Sequence, residues 1–258
     1  MGTRTGRRRA VTGERVTTAA GGFNPSWQRH VATYSLCERF LPPGRVLDLG
    51  CGVGHSYASL APRETVGVDI DPEALVGQDR ETHVADMREL PFPNASFASA
   101  IAVQSIEHVP DPDRVLAELV RVLEPGGVAV LVTPNRLTFA RPDEIIDPYH
   151  YVEFDPGALR RLCERFFAAV ELYGLFGSAR FEEFVAAEHR KLDRLLRKDP
   201  LRMRRLLPRS ARQWLYDWKL RRERRTGAAS AAQISTEDFE LRESGVEAAF
   251  DLVAVCRA

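Results

Sequence analysis

The stretch VLDLGCGVG, residues 46–54, decides how this chain is read. The short apolar run Arg45–Leu49 has the character of a strand, and it leads directly into glycines at positions 50, 52 and 54. A helix is expected to follow, to about Leu60. Glycine lets a backbone approach a ligand closely, and a helix N-terminus presents unpaired N–H groups. The spacing is GxGxG, which differs from the GxGxxG of pyrophosphate-binding turns.

Outward from this turn the same alternation continues. Glu64–Asp69 reads as a second strand ending in an acid. A carboxylate about twenty residues beyond such a turn can grip ribose hydroxyls. His83–Ala85 reads as a third strand, with Asp86 after it. Phe97–Val103, Gly127–Thr133, Ala168–Tyr173 and Phe250–Cys256 follow as further strands. The pairs Asp71-Pro72, Asp111-Pro112 and Asp155-Pro156 each place a capping carboxylate before a proline at the first helical position. Leu116, Leu119, Val120 and Leu123 fall on one face of the helix after Asp111. Pro25–Phe40 forms a helix ahead of the first strand. Strands alternating with helices predict an α/β fold, with a doubly wound, mostly parallel sheet covered on both faces. Ligands bind such sheets beyond the strand C-termini.

The chain has 258 residues, with 36 Lys+Arg and 36 Asp+Glu. A net charge of zero, taken at face value, argues against a nucleic-acid binder. The charges are segregated, however. Residues 1–15 carry five Arg and one Glu, and residues 189–225 carry fifteen Lys/Arg and four acids. The rest is acidic. Three regions follow: a flexible basic arm (1–24), an α/β domain (25–175 and 248–258), and a basic helical insertion or lid (176–247). The apolar runs fall short of about 18 residues, so no transmembrane helix is expected. No apolar segment follows the basic N-terminus, so it is not read as a secretory signal. Cys37, Cys51, Cys163 and Cys256 lie too far apart for a CxxC motif and read as reduced thiols of a cytoplasmic protein.

Five pieces carry a resemblance: VLDLGCGVG (46–54), VGVDIDPEAL (66–75), ADMRELPFPNASF (85–97), SIEHVPDPDRVLAELVRVLEPGG (105–127) and LVTPN (131–135). Together they resemble the class I S-adenosylmethionine-dependent methyltransferases, type 11 subgroup. The resemblance implies a Rossmann-like sheet of order 3-2-1-4-5-7-6 with the seventh strand antiparallel. It implies S-adenosyl-L-methionine as cofactor. Gly50, Cys51, Gly52 and Gly54 would line its methionine and ribose portion, and Asp69 would bind the ribose hydroxyls. Asp86 and Met87 would hold adenine, and Gln104 and Ser105 would face the sulfonium. Asp48 and Ile70 join the donor-binding set, and His30 would close over the donor.

Thr12-Gly13-Glu14-Arg15, Arg29-His30 and Tyr34 resemble the N-terminal signature of some bacterial methyltransferases. TPNRLTF, DPYHYVEF and LYGLFG, within 133–177, resemble actinobacterial enzymes of polysaccharide biosynthesis. The acceptor expected from this is a sugar or polysaccharide hydroxyl. A quinone, polyketide or other small metabolite is the alternative, with Phe139, Tyr149, Tyr151 and Phe154 able to line an apolar pocket. A non-catalytic donor-binding scaffold is the alternative of another class.

A hydroxyl acceptor needs a place to lose its proton. His150, in the loop after the fifth strand, is favoured for this over His108, after the fourth. Asp143, Glu144 and Asp147 read as a solvated surface, and no metal is expected. Gln-Ser-Ile-Glu after the fourth strand differs from the Asn-Pro-Pro-Tyr type used on nucleic-acid amines, a second argument against a nucleic-acid partner. Residues 189–225 interleave cations with Leu, Met and Trp. They read as a lid, or as a surface for anionic lipid or an acidic substrate.

Overall fold

The computed structural model describes residues 24–139, 144–197, 199, 203–223 and 233–258. The basic arm through residue 23, with the Thr12–Arg15 signature, lies outside them, as does Asp143.

Eight strands form one sheet: β1 (Val46–Leu49), β2 (Thr65–Asp69), β3 (Thr82–Val84), β4 (Phe97–Val103), β5 (Leu123–Pro134), β6 (Ala169–Gly177), β7 (Phe239–Arg242) and β8 (Asp251–Arg257). Their order is β3-β2-β1-β4-β5-β8-β6-β7. Neighbours among β1–β5 pair in parallel, and β8 runs antiparallel between β5 and β6. This is the expected order with one strand added. β7 pairs antiparallel with β6 and extends the edge of the sheet. Its four residues lie inside the stretch read from sequence as a helical insertion.

The helices are α1 (Asn24–Cys37), α2 (Pro72–Leu75), α3 (Pro112–Val122), α4 (Arg136–Phe139), α5 (Pro156–Cys163), α6 (Ala179–Leu196) and α7 (Arg209–Glu223). The three Asp-Pro pairs act as read. Asp71 accepts from the N–H of Glu73, Asp111 from that of Arg114 and Asp155 from that of Ala158. The helix expected after the glycine turn is absent. A single 3-10 turn, Tyr57–Leu60, stands there instead. Its start at Ser56 has no side-chain cap hydrogen bond, so nothing local offsets the cost of starting an α-helix.

Side chains alternate across the sheet with the period of a strand. Leu47, Leu49, Ala100 and Leu131 face α3 and α5 residues such as Leu116, Leu119 and Leu159. Val46, Ile101, Val130 and Val253 face the other way, against Tyr34 and Cys37 of α1. β1 and β4 are buried along their whole length, as strands covered on both faces are. A third cluster joins Phe181 of α6 to Phe239 and Ile234. All four cysteines are free and buried. Among the described residues, no helix is long and apolar enough to cross a membrane.

Candidate active site

The C-termini of β1 to β4 open onto one cleft of about 310 Å³. Gly50, Gly52, Asp69, Ile70, Asp86, Met87, Gln104, Ser105 and His108 all line it. These are nine of the residues singled out in the sequence.

The glycine loop is held from within. The N–H groups of Gly50 and Cys51 both donate to the carbonyl of Val68, at 2.8 and 3.0 Å. Gly54 donates to Cys51, and the N–H of Gly52 donates to Asp69 Oδ2 at 2.8 Å. The free N–H groups expected of a helix start are therefore already engaged. Gly50 and Gly52 both have positive φ, 71° and 54°. They differ in what surrounds them. A Cβ on Gly50 would lie 2.5 Å from Ser105 Cβ, whereas one on Gly52 would meet nothing within 4 Å.

Asp69 Oδ1 accepts from the N–H of Asp71 at 2.9 Å. Each of its oxygens thus takes one backbone donor, out of about four acceptor sites on a carboxylate. Asp86 is held by Arg88 at 2.6 Å, and that hydrogen bond keeps its pKa below the usual carboxylate range. Ile70 is 69% exposed. An apolar side chain this open on a cleft wall suits a flat ring. Gln104 has φ 51°, a conformation that costs a non-glycine residue about 1–2 kcal/mol. It is fixed there by its Nε2, which donates to buried Asp251 at 2.9 Å.

Other expected residues fall elsewhere. His30, Asp48, Cys51 and Gly54 line a smaller recess of about 50 Å³, which shares Gly50, Gly52 and Gln104 with the main cleft. Asp48 is buried, and both its oxygens have partners, Tyr34 and Arg80. His150, favoured from sequence, lines neither space and is buried. Its Nδ1 is pinned to Glu153 Oε1 at 3.1 Å. Burial lowers its pKa, but Glu153, Asp147 and Glu107 outweigh that and the net direction is upward. His108 does face the cleft, and its ring centroid lies 5.1 Å from that of His150. Burial lowers His108 to about 4, and burial raises Glu107 to about 7.

Of the aromatic residues considered for an acceptor pocket, Tyr151 lines the cleft, while Tyr149 and Phe154 are buried in the fold. The side chain of Phe139 lies outside the description. Asp147 is not a free surface acid: its oxygens accept from Tyr149 N–H and the Tyr216 hydroxyl. The sequence reading missed Arg88, Arg80 and Arg209. Arg209, at the start of α7, donates to the carbonyls of Pro148, Tyr149 and His150 and stacks 3.5 Å over the Tyr151 ring. It ties the basic insertion to the loop beside the cleft.

Residues 47–131 match the family model of a methyltransferase domain. A probable S-adenosylmethionine-dependent methyltransferase of Mycolicibacterium smegmatis is 29% identical over 258 residues, covering 95% of this chain and 93% of that protein. The chloroplastic tocopherol O-methyltransferase of Arabidopsis thaliana is 29% identical over 137 residues, covering 48% of this chain and 38% of that protein. A solved methyltransferase from Thermotoga maritima, described as a possible histamine N-methyltransferase, shares the fold. Its TM-score is 0.61 at 17% identity, with 91% of each chain covered. The fold is the α/β Rossmann-like fold of the methyltransferases. The chain is an S-adenosylmethionine-dependent methyltransferase, with S-adenosyl-L-methionine as its cofactor.

Proposed function

We propose that the chain methylates a hydroxyl on a small acceptor with an apolar body. The observation that carries the reading is the convergence of four strand ends on a cleft that also holds His108 and Tyr151. The residues present suit the donor. Asp69 keeps unused acceptor sites for the two ribose hydroxyls. The space over Gly52 is open. Ile70 and Met87 offer apolar contact to adenine, and Asp86 offers a fixed acceptor. Gln104 and Ser105 mark the sulfonium end.

S-adenosylmethionine supplies a methyl group already activated on a sulfonium. The chain's own contribution is then proximity and alignment, which can lower a barrier by several kcal/mol. The acceptor proton is handled at Glu107, His108 and His150, with His108 as the member exposed to the cleft.

Oxygen as the receiving atom is supported by the Arabidopsis relative, which is named for O-methylation of tocopherol. None of the relatives reported above is named for a sugar or polysaccharide. An apolar acceptor draws support from Tyr151 and from the exposed side chains of Met203, Leu206, Trp214, Leu215 and Trp218. Those side chains belong to the segment that Arg209 anchors beside the cleft. Trp214 and Trp218 are four residues apart on α7, hence on one face. This favours a second reading of the basic insertion, as a surface that meets anionic lipid where an apolar acceptor dissolves.

Methyl-labelled donor, offered with hydroquinone, phenolic and sugar acceptors, tests the proposal. Label is expected on the apolar hydroxyl compounds. Label on sugars alone would restore the polysaccharide reading.

A further inference from the structure

We infer that Asp251 is a positioning residue for the donor: it turns the Gln104 amide so that its carbonyl oxygen meets the sulfonium, which biases the site toward the charged donor and against its neutral product. The inference rests on the reading that Gln104 stands at the sulfonium end of the cleft.

β8 runs against the strands on either side of it, so its first residue, not its last, reaches the ligand edge of the sheet. That residue is Asp251, paired in register with Pro134 at the end of β5. Its carboxylate is buried. Oδ1 accepts from Gln104 Nε2 at 2.9 Å. Oδ2 takes no hydrogen bond among the described residues, and Arg29 Nε of α1 lies 3.4 Å from it as an ion-pair partner. Burial raises the Asp251 pKa, against Arg29 and Gln104, which favour the charged form.

An ionised carboxylate only accepts, so the Gln104 amide brings its Nε2 to Asp251. The end of the amide left for a ligand is the Oε1 acceptor. Gln104 lines both the main cleft and the smaller recess, so it stands where the two meet. The hydrogen bond to Asp251 polarises the amide and makes its oxygen more negative. Such an oxygen attracts a sulfonium and gains little from a neutral thioether. The backbone fits a functional role. Gln104 keeps its side chain at a φ of 51°, and strain of this kind gathers at ligand sites.

The attraction lasts only while sulfur is charged. As the acceptor oxygen bonds to the methyl carbon, the carbon–sulfur bond breaks and its electron pair stays on sulfur, leaving a neutral thioether. A contact that fades along this path selects the donor and eases product release; it does not speed the transfer step.

The test titrates the full chain by calorimetry with S-adenosylmethionine and with S-adenosylhomocysteine, the demethylated product, and reads the ratio of the two affinities. Asp251→Asn keeps the shape but can donate as well as accept, so it no longer dictates which way the amide points. It should lower the affinity for S-adenosylmethionine about tenfold and that for S-adenosylhomocysteine much less. Gln104→Gly should shift the ratio the same way, and glycine adopts the positive φ freely. Melting curves confirm that each variant folds. Equal losses for both ligands, or an unchanged ratio, overturn the role of Asp251. Should Asp251→Asn not fold, Gln104→Gly decides alone, because Asp251 acts through that side chain. Unchanged donor affinity in Asp69→Ala would instead place the donor elsewhere and overturn the reading of the cleft.

Discussion

The Tyr34 hydroxyl donates to Asp48 Oδ1 at 2.6 Å, joining α1 to the end of β1 beneath the glycine loop. Arg80 Nη2 lies 2.7 Å from the other oxygen, and its guanidinium stacks 4.2 Å over the Tyr57 ring. Both side chains of the ion pair are nearly sealed from solvent, at 4% and 1% exposed. Burial and the Asp48 charge push the Tyr34 hydroxyl well above its ordinary pKa.

Removing one partner from a buried ion pair is worse than removing a neutral hydrogen bond to it. Asp48→Ala strands the Arg80 charge and should cost about 3–5 kcal/mol. Tyr34→Phe strands one acceptor and should cost about 1–3 kcal/mol. Urea unfolding near neutral pH measures both. Equal losses, or a larger loss for Tyr34→Phe, would show that the ion pair does not anchor the loop.

Acid should weaken the fold at the smaller recess. Burial, His55 and Arg29 lower His30 to about 3, and burial lowers His55 to about 4. Both are depressed from 6.5, so the unfolded chain binds more protons below that value. Their contribution is complete above about pH 6.5 and is lost as pH falls toward 3. The melting temperature should drop between about pH 7 and pH 5, and His30→Gln with His55→Gln should flatten that drop. Parallel curves for variant and wild type would contradict the assignment.

The two loop glycines should separate stability from binding. Gly50→Ala meets Ser105 as well as positive φ, so it should lower stability and donor affinity together. Gly52→Ala has open space and should cost only the conformational penalty of about 1–2 kcal/mol. Its methyl group would point into the space assigned to the donor. Thermal melts and donor titration on both variants check the contrast.

The exposed face of α7 should bind anionic vesicles. Trp214→Ala with Trp218→Ala should weaken sedimentation with them about tenfold or more, since burying such a side chain is worth about 1.5–3 kcal/mol. No difference between neutral and anionic vesicles at low salt would remove the lipid surface from the account.

Much of this was legible because the signals are local. The strand-glycine-acid pattern, the Asp-Pro caps and the apolar runs of β4 and β5 depend on neighbours in sequence. Asp69, Asp86 and Gln104 could be placed because each lies at, or within two residues of, the C-terminus of a strand. β7 was not legible: Phe239–Arg242 is four residues long and has only β6 beside it. Nor was the trio at the acceptor side. Glu107 and His108 sit after β4 and His150 in a distant loop, and only the folded chain brings them together. That His150 lines neither space has a related cause. Sequence showed Glu153 three residues on, but not that their contact would hold the ring away from the cleft. Arg80 and Arg209 have no periodic or motif signature at all; their roles depend on contacts across the fold.

Calorimetric titration with S-adenosylmethionine, on wild type and Asp69→Ala, tests the central claim most directly. The account predicts one donor per wild-type chain and a loss of about 100-fold or more in the variant. Two hydrogen bonds to a charged group, at about 1.5–3 kcal/mol each, set that scale. Unchanged affinity in a folded Asp69→Ala protein would contradict the placement of the donor at these strand ends.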